Sequence, residues 1–504
     1  MTDVNERRLG LGELTDVIDP ERVAGLPVGE VRALAYDSRR VTPGTLFFAV
    51  PGMHVDGHAF AADAEGRGAI AVVAERELAD VSVPQLVVDR TRRALADAAA
   101  AWFGHPRDEL LRAIGITGTD GKSTVTVLTA EMLWDCGWHP GQIGTVFTGI
   151  DFERIPNVER STTPEALELQ ELLARMVAAG NDSVVMEATS HGLALERTRN
   201  CRFDIGVMTT VTSEHLDFHG TVEAYRAAKA RLVEEAPIAI LNADDPSFAY
   251  FRERARDRVI TYAIDAEADL RAGNLVADPA GTSFHVESSR WHGEVRVALP
   301  GRFNVTNALA SLAVAEAMEI DLDRAAQSLA ATEGVPGRME RIDLGQPFTV
   351  IVDYAHTTDA LRKVLEILRP LTEGRLIVVF GSAGERDRTK RAPMGGVAAE
   401  LADVVVVTDE DPRLEDQRQI NEEIADGARS AGAVDGEDLW VIDDRREAIG
   451  RAIERARPGD LVLLAGKGHE QSIIYGTEKR PWDDRAAARE ALRAAGWGSR
   501  RAPG

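Results

Sequence analysis

Short apolar runs alternate with amphipathic stretches along most of the chain. LFFAVPG (46–52) and AIAVVAE (69–75) have the length and flanks of buried strands, and TRRALADAAAAWFG (91–104) has helical spacing of its apolar positions. A second group follows: LLRAIGIT, SVVMEAT, IGVMTTV and IAILNAD are apolar strand-like runs, with helical stretches such as TPEALELQELLARMVAAG (163–180) among them. Continuous apolar strands separated by helices predict parallel sheets covered on both faces. Residues 255–300 differ. TSFHVESSRWHGEVRVAL (282–299) alternates polar and apolar positions and predicts an antiparallel hairpin appended to this second group. VPGRMERI (335–342) has the Pro and Gly of a linker. Beyond it FTVIVDYA, RLIVVFGS, DVVVVTDED, DLWVIDD and DLVLLAGKG predict five more strands separated by helices. The expected architecture is α/β in three domains, with boundaries at 1–110, 111–335 and 336–504. The tail WGSRRAPG (497–504) is expected to fray.

Composition changes this picture little. A chain of 504 residues exceeds what one hydrophobic core organises, which agrees with three domains. No run reaches the roughly 20 apolar residues of a membrane helix, and MTDVNERRLGLGELTDV has charges where a secretory leader has an apolar run. Two cysteines, with no CxxC, give no disulfide framework and point to a reduced, cytoplasmic setting. The formal charge of −24 argues against nucleic acid as a partner. It also means that an anionic substrate must be held by locally placed Arg, Lys or backbone N–H groups.

One stretch carries chemistry on its own. GITGTDGKST (115–124) lies between an apolar strand and a helix, the setting of a phosphate-binding loop. Its glycines stand at Gly115, Gly118 and Gly121, whereas the usual spacing would put one at Ile116. Glycines let successive N–H groups turn toward phosphate oxygens, and the helix N-terminus adds positive potential. Lys122 is placed to reach the β- and γ-phosphates and the Ser123 hydroxyl to ligate Mg²⁺. The loop is read as binding a nucleotide. Glu187 closes the run SVVME, at the carboxyl end of a predicted parallel strand where ligands usually bind, and His215 follows another such strand.

The loop GxTGTxGKST resembles the ATP loop of the Mur ligases, which join amino acids to the peptide of cell-wall precursors. DSRRVTPGTLFFAVPGMHVDGHAF (37–60) resembles the N-terminal signature of their third-residue branch, the UDP-N-acetylmuramyl-tripeptide synthetases. STTPEALELQ, MEATSHGLALER, TSEHLDFHGTVEAYRAAKARL, GRFNVTNALA, GVPGRMERI, DYAHTTDAL and AGKGHE have counterparts in the same order, over essentially the whole chain. The resemblance implies an N-terminal UDP-binding domain, a central ATP-binding domain with a parallel sheet, and a Rossmann-like C-terminal domain. It implies an ATP- and Mg²⁺-dependent ligase that adds a diamino acid to UDP-N-acetylmuramyl-L-alanyl-D-glutamate through an acyl phosphate, acting as a cytoplasmic monomer. A related ligase with another acceptor, or a non-catalytic nucleotide-binding homologue, are the alternatives.

Residue by residue, the resemblance assigns ATP contacts to Gly118, Thr119, Asp120, Gly121, Lys122, Ser123, Thr124, Asn304, Asn307, Arg338 and Asp353. Ser123, Glu187, His215 and a carbamylated Lys229 match Mg²⁺-binding positions; by its own local spacing Lys229 is an exposed helix lysine. Tyr36, Ser38, Met53, His54 and Val55 match positions at the uridine end, and Ser161, Thr162, Thr163, Thr189 and Arg197 positions contacting the muramyl-dipeptide. Arg386, Glu410, Asp411, Pro412, Arg413, Gly466 and Glu470 match the amino-acid site. Departures are Asp120 and Asp411 for Asn, Ser123 for Thr, Ser161 for Asn, Leu195 for Gln and Thr358 for Pro. Asp411 puts an anion where a substrate carboxylate is expected, which favours a plain ammonium such as that of lysine or ornithine. Arg413 would pair with the distal carboxylate of meso-diaminopimelate, and the balance leans toward that acceptor. Asp120 adds a negative charge beside the nucleotide phosphates.

Overall fold

The computed structural model describes residues 7–52, 55–151, 153–157, 161–212 and 214–498. They form two compact units, one running to Tyr262 and including Ala313–Ile320, the other made of Ala263–Leu312 and the chain from Asp321 onward.

Besides the short pairing of Leu9–Gly10 with Glu30–Val31, the first unit contains two sheets among the described residues. The smaller has the order Arg22–Ala24, Gln85–Val87, Ala69–Ala74, Thr45–Phe48 and Ala33–Ala35, parallel except for the antiparallel edge Arg22–Ala24. Its strands are buried on both faces. Leu46, Phe48, Ala71 and Val73 join Leu11, Leu95 and Trp102 on one side, while Phe47, Ala49, Val72 and Ala74 pack with Ala61 and Ala64 on the other. Two-sided burial is why these runs read as continuously apolar.

The larger sheet has a parallel centre in the order Pro140–Ile143, Ser183–Glu187, Arg112–Thr117, Ile205–Met208, Ile238–Asn242 and Arg258–Ala263. Phe147–Ile150 and Glu153–Pro156 add antiparallel strands beside Pro140–Ile143. The connection after Arg112–Thr117 runs toward Pro140–Ile143, while that after its neighbour Ser183–Glu187 runs the other way to Ile205–Met208, so a crevice opens at the carboxyl ends of these two strands. A Cβ on Gly115, within this strand, would stand 2.7 Å from Leu232 Cδ1 and 3.0 Å from the Phe203 ring. A glycine is therefore required for the covering helix Val222–Glu235, which carries Lys229, to lie this close.

In the second unit Leu270–Asp278, Gly281–Ser288 and His292–Val297 form an antiparallel meander, which includes the expected hairpin. Ser472–Tyr475 pairs antiparallel with Glu478–Pro481, and the main sheet has the order Glu340–Arg341, Thr349–Asp353, Leu461–Ala465, Leu376–Phe380, Val404–Val407 and Leu439–Val441. All five strands read from the sequence are present and parallel, with Glu340–Arg341 as an antiparallel edge. The last strand in sequence, Leu461–Ala465, sits between the first two. The carboxyl ends of Thr349–Asp353, Leu461–Ala465, Leu376–Phe380 and Val404–Val407 are thereby gathered along one edge.

The segment 335–342 is no loose linker. Val335 and Met339 are buried, and a Cβ on Gly337 (φ 66°) would collide with the backbone of Gly468 and His469. A wholly buried ion pair locks the same unit. Arg445 donates to both oxygens of Asp484 at 2.8 and 2.6 Å and to the carbonyls of Asp409 and Ala465, while Trp482 Nε1 donates to Asp484 at 2.8 Å. Removing one partner strands a buried charge. Asp484→Ala should cost the second unit about 3–5 kcal/mol, read as a lower urea midpoint for its unfolding transition.

Candidate active site

The strand Arg112–Thr117 delivers the chain into the loop, and the helix Lys122–Asp135 leaves it. Gly118 (φ 154°) and Gly121 (φ 87°) supply the backbone turns. A Cβ on Gly118 would fall on Thr209 Oγ1, whose hydroxyl donates to the carbonyls of Thr117 at 3.1 Å and Asp120 at 2.6 Å. Thr119 N donates to the Thr210 carbonyl at 2.7 Å, so the loop is stitched to the end of the neighbouring strand. Lys122 Nζ donates to the carbonyls of Gly118 at 3.0 Å and Thr119 at 2.8 Å. The Asp120 side chain is exposed, and Ser123 and Thr124 are buried in the first helical turn.

Glu187 is 1% exposed at the end of its strand. Its carboxylate accepts from Ser123 Oγ at 3.0 Å, Thr145 N at 2.7 Å and Thr145 Oγ1 at 3.0 Å. A Cβ on Gly144 would stand 2.6 Å from Glu187 Oε1, so glycine leaves the carboxylate its space.

Lys229 departs from its local reading: it is 1% exposed, not a surface lysine. Its Nζ donates to the Gly118 carbonyl at 2.6 Å and lies 4.5 Å from the centre of the Tyr225 ring. Burial, and then the nearby Lys122 ammonium, push its pKa well below the ordinary lysine value. His215 has φ 54°, a half-exposed side chain and a ring edge-on to His191 at 4.8 Å. Burial, aided by the surrounding His215, His219 and Arg197, pushes His191 down to about 4, so its ring is neutral at pH 7.

These groups suit a hard cation. Mg²⁺ takes oxygen ligands, typically one or two carboxylates, with substrate phosphates and water completing the shell. Ser123 and Glu187 offer a hydroxyl and a buried carboxylate in mutual contact. No cluster of three or more His, Cys, Asp or Glu side chains arranged to hold a metal exists among the described residues, so a cation here would depend on phosphate oxygens as well.

The positions matched to the muramyl-dipeptide gather round the same carboxylate. Thr162 Oγ1 is 3.0 Å from Thr145 Oγ1, and Thr163 Oγ1 donates to the Glu187 carbonyl at 2.8 Å while accepting from Thr189 N at 3.0 Å. Ser161 Oγ donates to the Thr163 carbonyl at 3.0 Å, and Arg197 reaches the same carbonyl at 3.0 Å. Thr189 caps its helix by accepting from Gly192 N at 3.0 Å. Of the uridine-end positions, Ser38 is buried and Val55 exposed, and Met53 and His54 lie outside the described residues. The Tyr36 hydroxyl is already engaged, donating to Glu168 Oε1 at 2.9 Å, and burial raises the pKa of both groups.

The second unit holds the remaining positions. Asn307 donates to Asn304 Oδ1 at 3.2 Å, and Asn304 to the Pro300 carbonyl at 2.9 Å. Asp353 accepts from Met339 N and Ala355 N, both at 2.8 Å, although burial raises its pKa. Arg338 lies 4.6 Å over the Tyr354 ring, and its buried Nε has no partner among the described residues. Gly466, Glu410, Asp411, Pro412 and Arg413 share the carboxyl edge of the sheet, and Arg386 is exposed.

Asp411 is not the uncompensated anion that the sequence suggests. It is buried, and its Oδ1 accepts from Lys467 Nζ and Ile474 N, both at 3.0 Å. Lys467, wholly buried, also donates to Glu470 at 2.5 Å. Sequence reasoning passed over Lys467 although it sits inside AGKGHE, and over Thr145 and Thr209, which no motif marks. Among the described residues, Arg413 (φ 55°) keeps a buried Nε without a partner, as Glu410 does its Oε2. Burial pushes Glu410 up to about 7, against the pull of Lys390 and Lys467.

Known proteins match along the whole chain. Residues 30–103 match the Mur ligase family catalytic domain, 116–315 the Mur ligase middle domain, and 337–468 the Mur ligase glutamate ligase domain. A UDP-N-acetylmuramyl-tripeptide synthetase of Roseiflexus sp. is 50% identical, covering 93% of this chain and 96% of its own. A UDP-N-acetylmuramoyl-L-alanyl-D-glutamate–2,6-diaminopimelate ligase of Geobacillus thermodenitrificans is 44% identical, covering 92% and 95%. A solved structure of a ligase of that second name superposes with a TM-score of 0.70 at 32% identity, covering 97% of this chain and 99% of the other. With a fold, a glycine loop and a full-length match that agree, the chain belongs to the Mur ligase family.

Proposed function

We propose that this protein is an ATP-dependent amide ligase that extends UDP-N-acetylmuramyl-L-alanyl-D-glutamate by one diamino acid, meso-diaminopimelate, in the cytoplasm. The observation that carries the reading is the convergence of Lys122, Lys229, Ser123 and Glu187 on one phosphate loop. In the reaction a substrate carboxylate oxygen attacks the γ-phosphorus of ATP and the bond to the bridging oxygen of ADP breaks. The amine then attacks the acyl carbon, phosphate departs, and the nitrogen loses a proton.

Negative charge gathers on the phosphoryl oxygens in the first step, and preorganised cations and N–H donors stabilise it. Lys122 and the N–H groups around Gly118–Ser123 fill that role. Its present bonds to loop carbonyls are ones that a phosphate would replace. Mg²⁺, when bound, would neutralise phosphate charge, held by Ser123, Glu187, His215 and a carbamylated Lys229. Lys229 meets the chemical condition for carbamylation, since only a neutral amine attacks CO₂. Thr162, Thr163, Thr189 and Arg197 would present the muramyl-dipeptide, Asn304, Asn307, Arg338 and Asp353 the nucleotide.

The choice of acceptor rests on Arg413 and Glu410. With Asp411 held by Lys467, Arg413 Nε and Glu410 Oε2 have no hydrogen-bond partner among the described residues. Such a pair suits a distal centre bearing both carboxylate and ammonium. Diaminopimelate has both; lysine and ornithine have only the ammonium. The relatives named as diaminopimelate ligases support this choice.

Purified protein given ATP, Mg²⁺ and the UDP-muramyl-dipeptide should release phosphate when diaminopimelate is added, and Lys122→Ala should reduce kcat by about 10²–10³-fold. Release with lysine alone would reverse the choice of acceptor, and release with no diamino acid tested would refute the ligase reading. Carbamylation of Lys229 should give a carbamate carbon signal in NMR after equilibration with ¹³C-bicarbonate, absent in Lys229→Ala. Asp120→Asn should lower the KM for ATP; because the side chain is exposed and screened, the gain should be only about 1.5- to 5-fold. A raised KM would contradict the repulsion argued for that carboxylate.

A further inference from the structure

Glu165 stands at the N-cap of the helix Ala166–Ala179 with φ −64° and ψ 159°, yet its side chain makes no cap bond. Ser, Thr, Asp and Asn satisfy the free N–H groups at such a position, and Glu is not among the preferred residues. Its carboxylate is employed elsewhere. Arg92 approaches Oε2 at 3.1 Å and Oε1 at 3.3 Å, and Arg197 approaches Oε1 at 2.5 Å. The three side chains are only 16–20% exposed.

Each arginine has a second engagement. Arg92 donates to the Pro51 carbonyl at 3.2 Å, two residues before Met53, where the stretch matched to the uridine end begins. Arg197 donates to the Thr163 carbonyl at 3.0 Å, and Thr163 Oγ1 donates to the carbonyl of Glu187 at 2.8 Å. An unbroken chain of polar contacts thus runs from Pro51 through Glu165 to the strand end that carries Glu187. Two guanidiniums on one carboxylate leave a net positive charge for an anion. Without the carboxylate, two half-buried like charges would face each other.

We infer that Glu165 is a positioning residue for the nucleotide-sugar substrate. It aims Arg197 at the muramyl-dipeptide and ties that arginine to the segment at the uridine end, so both ends of one substrate are held in register. This rests on the ligase reading above. The role differs from contact with substrate: Glu165 acts through its arginines, and its loss should weaken the hold on one substrate only.

The test is steady-state kinetics of the full chain with each substrate varied in turn. Glu165→Gln should raise the KM for the UDP-muramyl-dipeptide by about tenfold, leaving kcat and the KM for ATP within about twofold. Glu165→Asp, which keeps the charge, should recover part of the loss. Adding Arg92→Met to Glu165→Gln should cost less than the two single effects combined. Melting temperature serves as the folding control, and Glu165→Asp carries the test if Glu165→Gln fails to fold. An unchanged KM for the UDP-muramyl-dipeptide in Glu165→Gln, or equal losses for every substrate, would overturn the inference. If Arg197→Ala also leaves that KM unchanged, the assignment of the substrate site itself fails.

Discussion

Two lysine ammonium groups directed at one carbonyl oxygen set the terms for this site. Lys122 and Lys229 both donate to Gly118 O, one from the helix that follows the loop and one from the helix packed behind it. A carbonyl dipole cannot neutralise two cations, and the interior offers little solvent screening. The conflict is settled by burial. Lys122 is only partly buried, whereas Lys229, wholly buried, is driven toward the neutral amine. The glycines follow from the same crowding. Gly118 has no room for a Cβ beside Thr209, and Gly115 lets the helix bearing Lys229 come close enough to reach the loop at all.

Around this centre, small hydroxyl side chains do the positioning. Ser123 and Thr145 bond the Glu187 carboxylate, and Thr163 bonds its main-chain carbonyl. Serine and threonine have few rotatable bonds, so fixing them costs little side-chain entropy compared with Gln or Lys. They also carry both donor and acceptor capacity and can pass a hydrogen-bond chain onward. A carboxylate held on both its side chain and its backbone keeps its place whether or not a cation is bound.

How much of this could be read from the sequence depended on the distance between partners. Strands such as Leu376–Phe380 and Leu461–Ala465 were plain, because two-sided burial writes an unbroken apolar run. The glycine loop was plain because its parts are consecutive. Lys229 was not: YRAAKARL has the spacing of a solvated helix face, and the carbonyl its ammonium meets belongs to the loop more than a hundred residues earlier. Tyr36 looked free for a ligand until Glu168 came into contact across the fold. Arg445 and Asp484, 39 residues apart, belong to no motif that would pair them in the sequence. The hairpin and the five C-terminal strands were legible, whereas the packed turn at 335–342 was mistaken for a linker because Gly337 marks a close approach as readily as a flexible joint.

Asp411 shows how a substitution can change its meaning with context. Read alone, it adds a negative charge to a site expecting an anion. In the fold that charge faces Lys467, which shares its ammonium with Glu470. Glu410, whose Oε2 has no hydrogen-bond partner among the described residues, adds a third carboxyl group to this wall. Burial and Glu470 raise Glu410 while Lys390 and Lys467 lower it, leaving it near 7. Both the neutral acid and the carboxylate are therefore within reach at neutral pH. An ammonium placed beside it would expel the proton, and a carboxylate would retain it. The charge of this wall is accordingly set by the group opposite it, and a pairing of Glu410 with an ammonium and Arg413 with a carboxylate is the arrangement in which neither is left buried and alone.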